Sequence, residues 1–474
     1  MTKKLAMKEI LRKFFCRFLL FLGLFGPKDE KTSLFSNVFD LAWKLLYIFL
    51  YMYNKIYCIK WKESRMKKSY KQWATLIAIC VAGGTIFKLA YMRDVFYAAM
   101  QDAFGFTNTQ FGLMMTAFAV TQFIAYLPGG WITDLVPVKY LIPVSLISTG
   151  LCGFWLATYP SFTSVLIIQA IMGITITLLF WEAMIKGTRM IGTAEEQGRM
   201  FGLLEGGRGL AATIISFAAL WMFTTFGEGK MGLRATMIFY AISLCVLGVA
   251  CYFLIEKNEV EGKVNAKEAL DGLVHVARMP RVWVAGAIVF FGYSFYNGLS
   301  YFSTYLTEIC GMSVSLGVAI NIVRQYLLAF IAAPIGGMIA DKMGSSINFL
   351  KIALTLGTIL TGIYLLIPVN AGLAIVIGVM LLLAAVMMTI RGTYYSTTDE
   401  IKIPIMMSGA AAGILSIVGN TPDLFIFTLY GHFMDAYPGI QGYRYIFITM
   451  MVFAVLGIVC CFILSSMKKN MKEN

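Results

Sequence analysis

The chain is short of charge, histidine and any metal-binding pattern. Only 14% of its 474 residues are Asp, Glu, Lys or Arg, against about 25% in a soluble globular protein, while 59% are hydrophobic. A water-soluble fold cannot hide that much apolar surface, which excludes an ordinary soluble enzyme. Two histidines, His275 and His432, and nine cysteines with no C-x-x-C spacing give neither a zinc site nor a disulfide framework. No Walker-type glycine loop is present, so direct use of ATP is not indicated and no cofactor is expected. No catalytic constellation stands out.

What is abundant is apolar sequence of spanning length, together with 44 glycines, a residue more frequent in membrane helices than in soluble ones. Positive charge gathers at the start. Residues 1–72 hold sixteen Lys and Arg against five Asp and Glu, +11 of the chain's +14. Directly before a membrane domain, such a segment reads as attraction to anionic headgroups rather than to nucleic acid. Within 36–62, Asn37, Asp40, Lys44, Tyr47, Tyr51, Asn54, Cys58 and Lys62 recur at intervals of three and four. That is one polar stripe on a helix lying in the interface; a tilted extra span over 34–59 is the competing expectation. A shorter basic-apolar piece covers 3–25, without the small-residue cleavage site of a signal peptide.

From residue 73 onward twelve spans are expected, at about 73–98, 108–132, 139–158, 162–185, 200–224, 235–255, 282–306, 315–340, 348–367, 371–391, 406–430 and 443–466. The loops at 99–107, 159–161, 307–314 and 368–370 contain no Lys or Arg, whereas the alternate loops are rich in them. By the positive-inside rule both termini are cytoplasmic. A polar stretch at 256–281 divides the spans six and six. The expected organisation is therefore a basic amphipathic extension (1–71), a six-helix bundle (72–255), a cytoplasmic linker (256–281), a second six-helix bundle (282–466) and a basic tail (467–474).

The halves share a motif. After span 2 the chain reads Pro128-Gly129-Gly130-Trp131-Ile132-Thr133-Asp134, and in span 8 Pro334-Ile335-Gly336-Gly337-Met338-Ile339-Ala340-Asp341-Lys342-Met343-Gly344. Each ends a second helix with Gly-x-x-x-Asp. Small residues there allow close helix approach, and an acid one turn later can face a helix N-terminus or a basic partner. Gly130, Asp134, Gly337, Asp341 and Lys342 are therefore expected to form a gate.

With these motifs, residues 72–466 resemble the major facilitator superfamily of secondary transporters, and Gly337 to Gly344 match its loop signature nearly completely. Glu195-Glu196-Gln197-Gly198-Arg199 is similar to its approach to span 5. Tyr91-Met92-Arg93-Asp94, followed by Gly105 and Gly112, is similar to the organic anion:cation symporter branch. The resemblance implies an all-α membrane protein with two pseudo-symmetric six-helix bundles around a midplane site. There are departures. The branch's Asp-Arg order is inverted at Arg93-Asp94, Gln169 replaces the arginine of span 4, and Ile176 stands where a proton-carrying acid is usual. Span 5 lacks the Gly-Pro element of drug/proton antiporters.

Charge at mid-bilayer costs about 2.5–3.5 kcal/mol or more, so charged residues inside spans are expected to face partners or a watery cavity. Lys88, Arg93, Arg208 and Arg324 are candidate solute ligands, with Tyr293, Asn297 and Tyr301 as a strip at i, i+4, i+8 on span 7. Tyrosine packing is the competing account of that strip. Glu182 and Glu205 are candidate proton carriers, although Glu182 can instead pair with Lys186 and Glu205 with Arg208. Arg391-Gly392-Thr393-Tyr394-Tyr395 is expected to end span 10 and serve orientation and gating. The expected function is secondary, proton-coupled symport of a small anionic or polyhydroxylated solute by a monomer in the cell membrane. A multidrug or metabolite exporter of the same fold would need a cavity without this basic bias. A non-transporting sensor would need no polar cavity at all.

Overall fold

The computed structural model describes residues 70–191, 197–256, 274–368, 371–401, 403 and 408–473. The interfacial stripe at 36–62, the basic piece at 3–25, most of the linker and Glu195-Glu196 lie outside them. Helices of spanning length follow one another because apolar runs must satisfy every backbone hydrogen bond internally in lipid. In chain order they are span 1 (Tyr70–Thr85, Phe87–Ala90 and Arg93–Phe104), span 2 (Asn108–Leu135), span 3 (Val138–Leu156) and span 4 (Phe162–Ile174, a π segment Thr175–Trp181, then Glu182–Arg189). Span 5 (Gln197–Thr225) and span 6 (Lys230–Leu254) complete the first half. The second half holds span 7 (Pro280–Asn297 and Ser300–Glu308), span 8 (Val314–Ile322, a π segment Val323–Leu327, then Leu328–Met343) and span 9 (Ser346–Leu366). Span 10 (Leu373–Thr393), span 11 (Ser408–Asn420, a 3-10 turn Thr421–Leu424, then Ile426–Ala436) and span 12 (Ile440–Glu473) follow. Among the described residues eleven helices are long and apolar enough to cross a membrane; Asn108–Leu135, at 28 residues, lies among them as the twelfth.

The face carrying Tyr70 and the end of span 12 is called the terminal face below, and the opposite one the distal face. Ile124, Val144, Leu151, Val246, Phe253, Ile359 and Phe462 stand exposed on the outside of the bundle, as lipid-facing side chains must. Each helix end is written locally. Thr107 and Gln110 form a reciprocal capping box at the start of span 2. Span 8 stops at Gly344, whose φ of 65° lets the chain turn off the helix axis. Span 2 has no such glycine. It ends instead at extended Val136 before Pro137, so the first copy of the motif turns without the glycine stop of the second.

On the terminal face Glu400 accepts from the Ser345 hydroxyl and the Ile347 amide at 2.9 Å each, and pairs with Lys468. Burial pushes the Glu400 carboxyl up, but these donors outweigh it and hold it below its ordinary value. This clasp ties the end of span 10 to spans 9 and 12.

Small residues set the helix distances. A Cβ on Gly84 would lie 2.6 Å from the Arg208 carbonyl oxygen and 2.8 Å from the Ala212 amide nitrogen, both backbone atoms of span 5. Spans 1 and 5 can approach this closely only with glycine at that point. Gly84→Leu is therefore expected to cost about 1–3 kcal/mol by overpacking and to lower the thermal unfolding midpoint in detergent. Gly202→Ala on span 5, where a Cβ meets nothing within 4 Å, should not lower it. Equal midpoints for the two variants would refute this account of the contact.

Candidate functional site

Five charged side chains are buried among the described residues: Lys88 (5% exposed), Arg93 (1%), Asp94 (5%), Arg324 (1%) and Asp423 (6%). All stand where a helix departs from regular α geometry. Lys88 lies in the four-residue piece between breaks of span 1, and Arg93 and Asp94 open the next piece. Arg324 lies in the π segment of span 8, and Asp423 in the 3-10 turn of span 11. Broken helices free backbone polar groups and aim side chains into the bundle interior, which is how membrane proteins build polar sites.

Two of them, Lys88 and Arg93, reach rings of the other half. The Lys88 ammonium sits 3.0 Å from the centroid of the Tyr326 ring on span 8. The Arg93 guanidinium is caged by Tyr97 at 5.3 Å, Tyr301 at 5.2 Å and Phe427 at 4.6 Å, and Asp94 lies 3.8 Å from its Nε. None of the three Arg93 nitrogens makes a hydrogen bond, and one terminal nitrogen of Arg324 is likewise unsatisfied while its Nε donates to Asn321 at 3.2 Å. Cation–π contacts compensate a desolvated cation only in part. Three buried cations against two buried carboxylates thus leave a positive centre with donors to spare.

On the terminal side of this cluster the space between the halves has aromatic walls. Arg391, exposed, places its guanidinium 4.6 Å from the Tyr296 ring, and Tyr293 stacks on Tyr296 at 6.0 Å. From the first half, Arg208 lies 5.2 Å from the Trp181 ring, Trp181 meets Phe87, and Phe87 meets Tyr91. Glu205, Asp341, Lys342 and Tyr395 are exposed.

The distal side is zipped shut. Gly112 and Gly431 let spans 2 and 11 touch: a Cβ on Gly112 would meet the Phe427 carbonyl oxygen, and one on Gly431 the Asn108 carbonyl oxygen. Thr116 donates to the Leu424 carbonyl at 3.0 Å and lies 3.0 Å from the Thr428 hydroxyl. At the outer end the Asp435 carboxylate accepts from the Asn108 amide (3.0 Å) and side chain (2.8 Å), and from the Thr109 amide (2.8 Å) and hydroxyl (2.6 Å). A carboxylate of the second half therefore caps the first turn of a helix of the first, where the helix dipole favours negative charge.

Several expectations change. The strip Tyr293, Asn297 and Tyr301 faces span 11 rather than open space. Tyr293 and Asn297 donate to Asp423 at 2.9 and 2.8 Å, and Tyr301, 1% exposed, donates to the Phe427 carbonyl at 3.1 Å. Glu205 pairs with Arg208 at 2.6 Å. Lys186 turns to span 2, donating to the Thr133 carbonyl at 3.0 Å, while Glu182, half-buried, packs near Gly129. In the loop motif the tight contact belongs to Gly336, where a Cβ would come 2.6 Å from Thr389 Cβ on span 10; at Gly337 it would meet nothing within 4 Å. The side-chain surroundings of Gly130 and Asp134 lie outside the described residues. The run from Arg391 does end span 10: Arg391 lies in the last turn of the helix, which stops at Thr393 and passes into a 3-10 turn at Tyr394–Ser396. Sequence reasoning did not place Asp423, Tyr326 or Asp435 in the site and gave Arg391 a role in orientation and gating. The signal for Asp423 was a charge that, with Asn420 and Pro422, interrupts an apolar run.

Because Asp435 satisfies two first-turn amides of span 2, Asp435→Ala should destabilise that turn by about 1 kcal/mol. The expected result is roughly fivefold faster hydrogen–deuterium exchange at Asn108 and Thr109, with unchanged exchange at Ile347. Unaltered exchange at 108–109 would show that the carboxylate does not hold the distal closure.

Residues 79–422 match the model of the Major Facilitator Superfamily. Over 417 residues the chain is 34% identical to the inner membrane protein YihN of Escherichia coli (strain K12), covering 85% of this chain and 98% of that protein. Over 402 residues it is 32% identical to the inner membrane protein YqcE of the same organism, covering 83% and 94%. In fold it is similar to the crystal structure of a bacterial homolog of the human lysosomal transporter Spinster, with a TM-score of 0.69 at 14% sequence identity, covering 86% of this chain and 98% of that one. An all-helical membrane domain with its polar site between two six-helix halves accords with that match, and the chain belongs to the Major Facilitator Superfamily of membrane transporters.

Proposed function

We propose that the protein carries a small anionic or polyhydroxylated solute, of the sugar-acid or organic-acid type, by secondary active transport. One observation carries this: of the buried cations Lys88, Arg93 and Arg324 only Arg93 has, among the described residues, a buried carboxylate, Asp94, within ion-pair distance, and the guanidinium nitrogens of Arg93 have no hydrogen-bond partner. A buried positive excess is costly in a low-dielectric interior, and an anion with acceptor oxygens is the ligand that relieves it. Arg391 and Arg208, contributed by opposite halves, are the first cations such a solute meets from the terminal face. Lys88, Arg93 and Arg324 lie deeper. The flat rings of Trp181, Tyr91 and Tyr296 suit the apolar face of a sugar ring.

The cycle is alternating access, in which the halves rock about this site. The zipped distal face and the exposed terminal-face residues correspond to one end of that cycle. The Lys/Arg distribution of the loops makes the terminal face cytoplasmic, and the names of the two Escherichia coli relatives support an inner-membrane location. The solitary buried cations also count against an exporter of apolar cations, which they would repel.

The test is uptake into proteoliposomes of a labelled panel of hexuronates, aldonates, dicarboxylates and neutral sugars. Accumulation of at least one acid is expected. Arg391→Ala, Lys88→Ala and Arg208→Ala should each reduce its uptake about tenfold or more, the scale of one lost charge-assisted contact. Unchanged uptake in all three variants, or transport of neutral sugars alone, would refute the charge-based site.

A further inference from the structure

Asp423 stands apart from the other buried charges. Its two oxygens accept from neutral donors on span 7: Oδ2 from the Tyr293 hydroxyl and Oδ1 from the Asn297 amide. No described lysine or arginine forms an ion pair with it. The groups facing it from each packed element are Tyr293 and Asn297 of span 7, Asp94 and Tyr91 of span 1, Tyr126 of span 2 and Arg391 of span 10. Arg391 is the sole cation among them, and Asp94 offsets its charge.

Its position is as telling as its partners. Asp423 lies in the 3-10 turn that breaks span 11. The next residue, Leu424, supplies the carbonyl that accepts from Thr116, the innermost hydrogen bond of the zipper between spans 2 and 11. Distal to Asp423 the two halves are hydrogen-bonded out to Asp435. On its terminal side, Arg391 and Tyr395 of the second half and Glu205 of the first are exposed. The carboxyl therefore sits at the root of the zipper, where the closed part of the interface meets the open part.

We infer that Asp423 is the coupling site of the transporter, taking up a proton when spans 2 and 11 are zipped and releasing it when they part. This rests on the transport reading above. Only one O–H bond forms or breaks. The proton adds to a carboxylate oxygen of Asp423, and the Tyr293 hydroxyl, a donor to the ionised form, turns to accept from the acid. Asn297 keeps donating to the other oxygen. A lone carboxylate sealed from water with two neutral donors costs several kcal/mol, and a proton removes that cost where no described cation forms an ion pair with it. When the zipper opens, water reaches the turn and the charge is solvated again. Glu205, bound to Arg208, and half-buried Glu182 lack this link to the zipper.

The test needs no solute, so its failure is separable from failure of the transport reading. Infrared difference spectra between neutral and acidic buffer are recorded on the full chain in liposomes. The wild type should gain a carboxylic-acid carbonyl band that Asp423→Asn loses and that Asp94→Asn and Glu182→Gln keep. Tyr293→Phe should retain the band and shift its frequency, because the hydroxyl partner is gone. Absence of the band in the wild type, its survival in Asp423→Asn, or its loss in Asp94→Asn or Glu182→Gln would overturn the assignment. Should Asp423→Asn give aggregated protein, the Tyr293→Phe spectrum decides alone: a shifted band supports Asp423, and an unshifted one refutes it.

Discussion

The cost of holding charge away from water organises this structure. Lipid surrounds the bundle and offers neither counter-ion nor hydrogen bond, so every buried charge must be compensated within the protein. The chain places its five buried charges along the junction of its two halves and breaks the helices that carry them. Spans 1, 8 and 11 lose regular α geometry at Lys88 to Asp94, Arg324 and Asp423. Rings from the other half, Tyr326 over Lys88 and Tyr301 with Phe427 around Arg93, supply part of the compensation. The same contacts that stabilise the charges therefore hold the halves together.

The two faces of the junction are built differently. Toward the distal face, glycines at 112 and 431 allow backbone contact between spans 2 and 11, and hydroxyl and carboxylate groups fasten it. Toward the terminal face the facing groups are Arg391, Glu205, Asp341 and Tyr395, all exposed. Contacts inside a half, such as Gly84 against span 5 and the Glu400 clasp, hold each bundle together, and under the proposed rocking mechanism each bundle would move as a unit. Close packing makes such bodies bistable rather than continuously deformable, as a rocking mechanism requires.

Much of the architecture was legible in the chain itself. Hydropathy and glycine content identify membrane spans, and the repeated Gly-x-x-x-Asp corner identifies two related halves, because both signals arise from local chemistry. The buried cations Lys88, Arg93 and Arg324 stand out for the same reason: a charge inside an apolar run announces itself. What was not legible depends on long-range placement. Arg391 was legible as the end of span 10, but nothing local shows that its guanidinium meets the Tyr296 ring of span 7. The tyrosine strip looked solute-facing because its i, i+4 spacing says which residues share a face, not what that face meets; only the break in span 11 turns it toward Asp423. Asp435, in the last turn of span 11 beside Met434 and Ala436, carries no local sign that it caps a helix more than three hundred residues away. Gly337 and Gly336 are indistinguishable in sequence, and only packing against Thr389 shows which one is needed.

The most direct test of rocking about a cationic junction is a pair of distances measured by double electron–electron resonance in liposomes. One spin-label pair at Gln110 and His432 reports the distal face, and a second at Leu135 and Met343 reports the terminal face. Adding the acid found to be transported should lengthen the first distance and shorten the second in the same fraction of molecules. Distances that both stay fixed, or that lengthen together, would contradict the account.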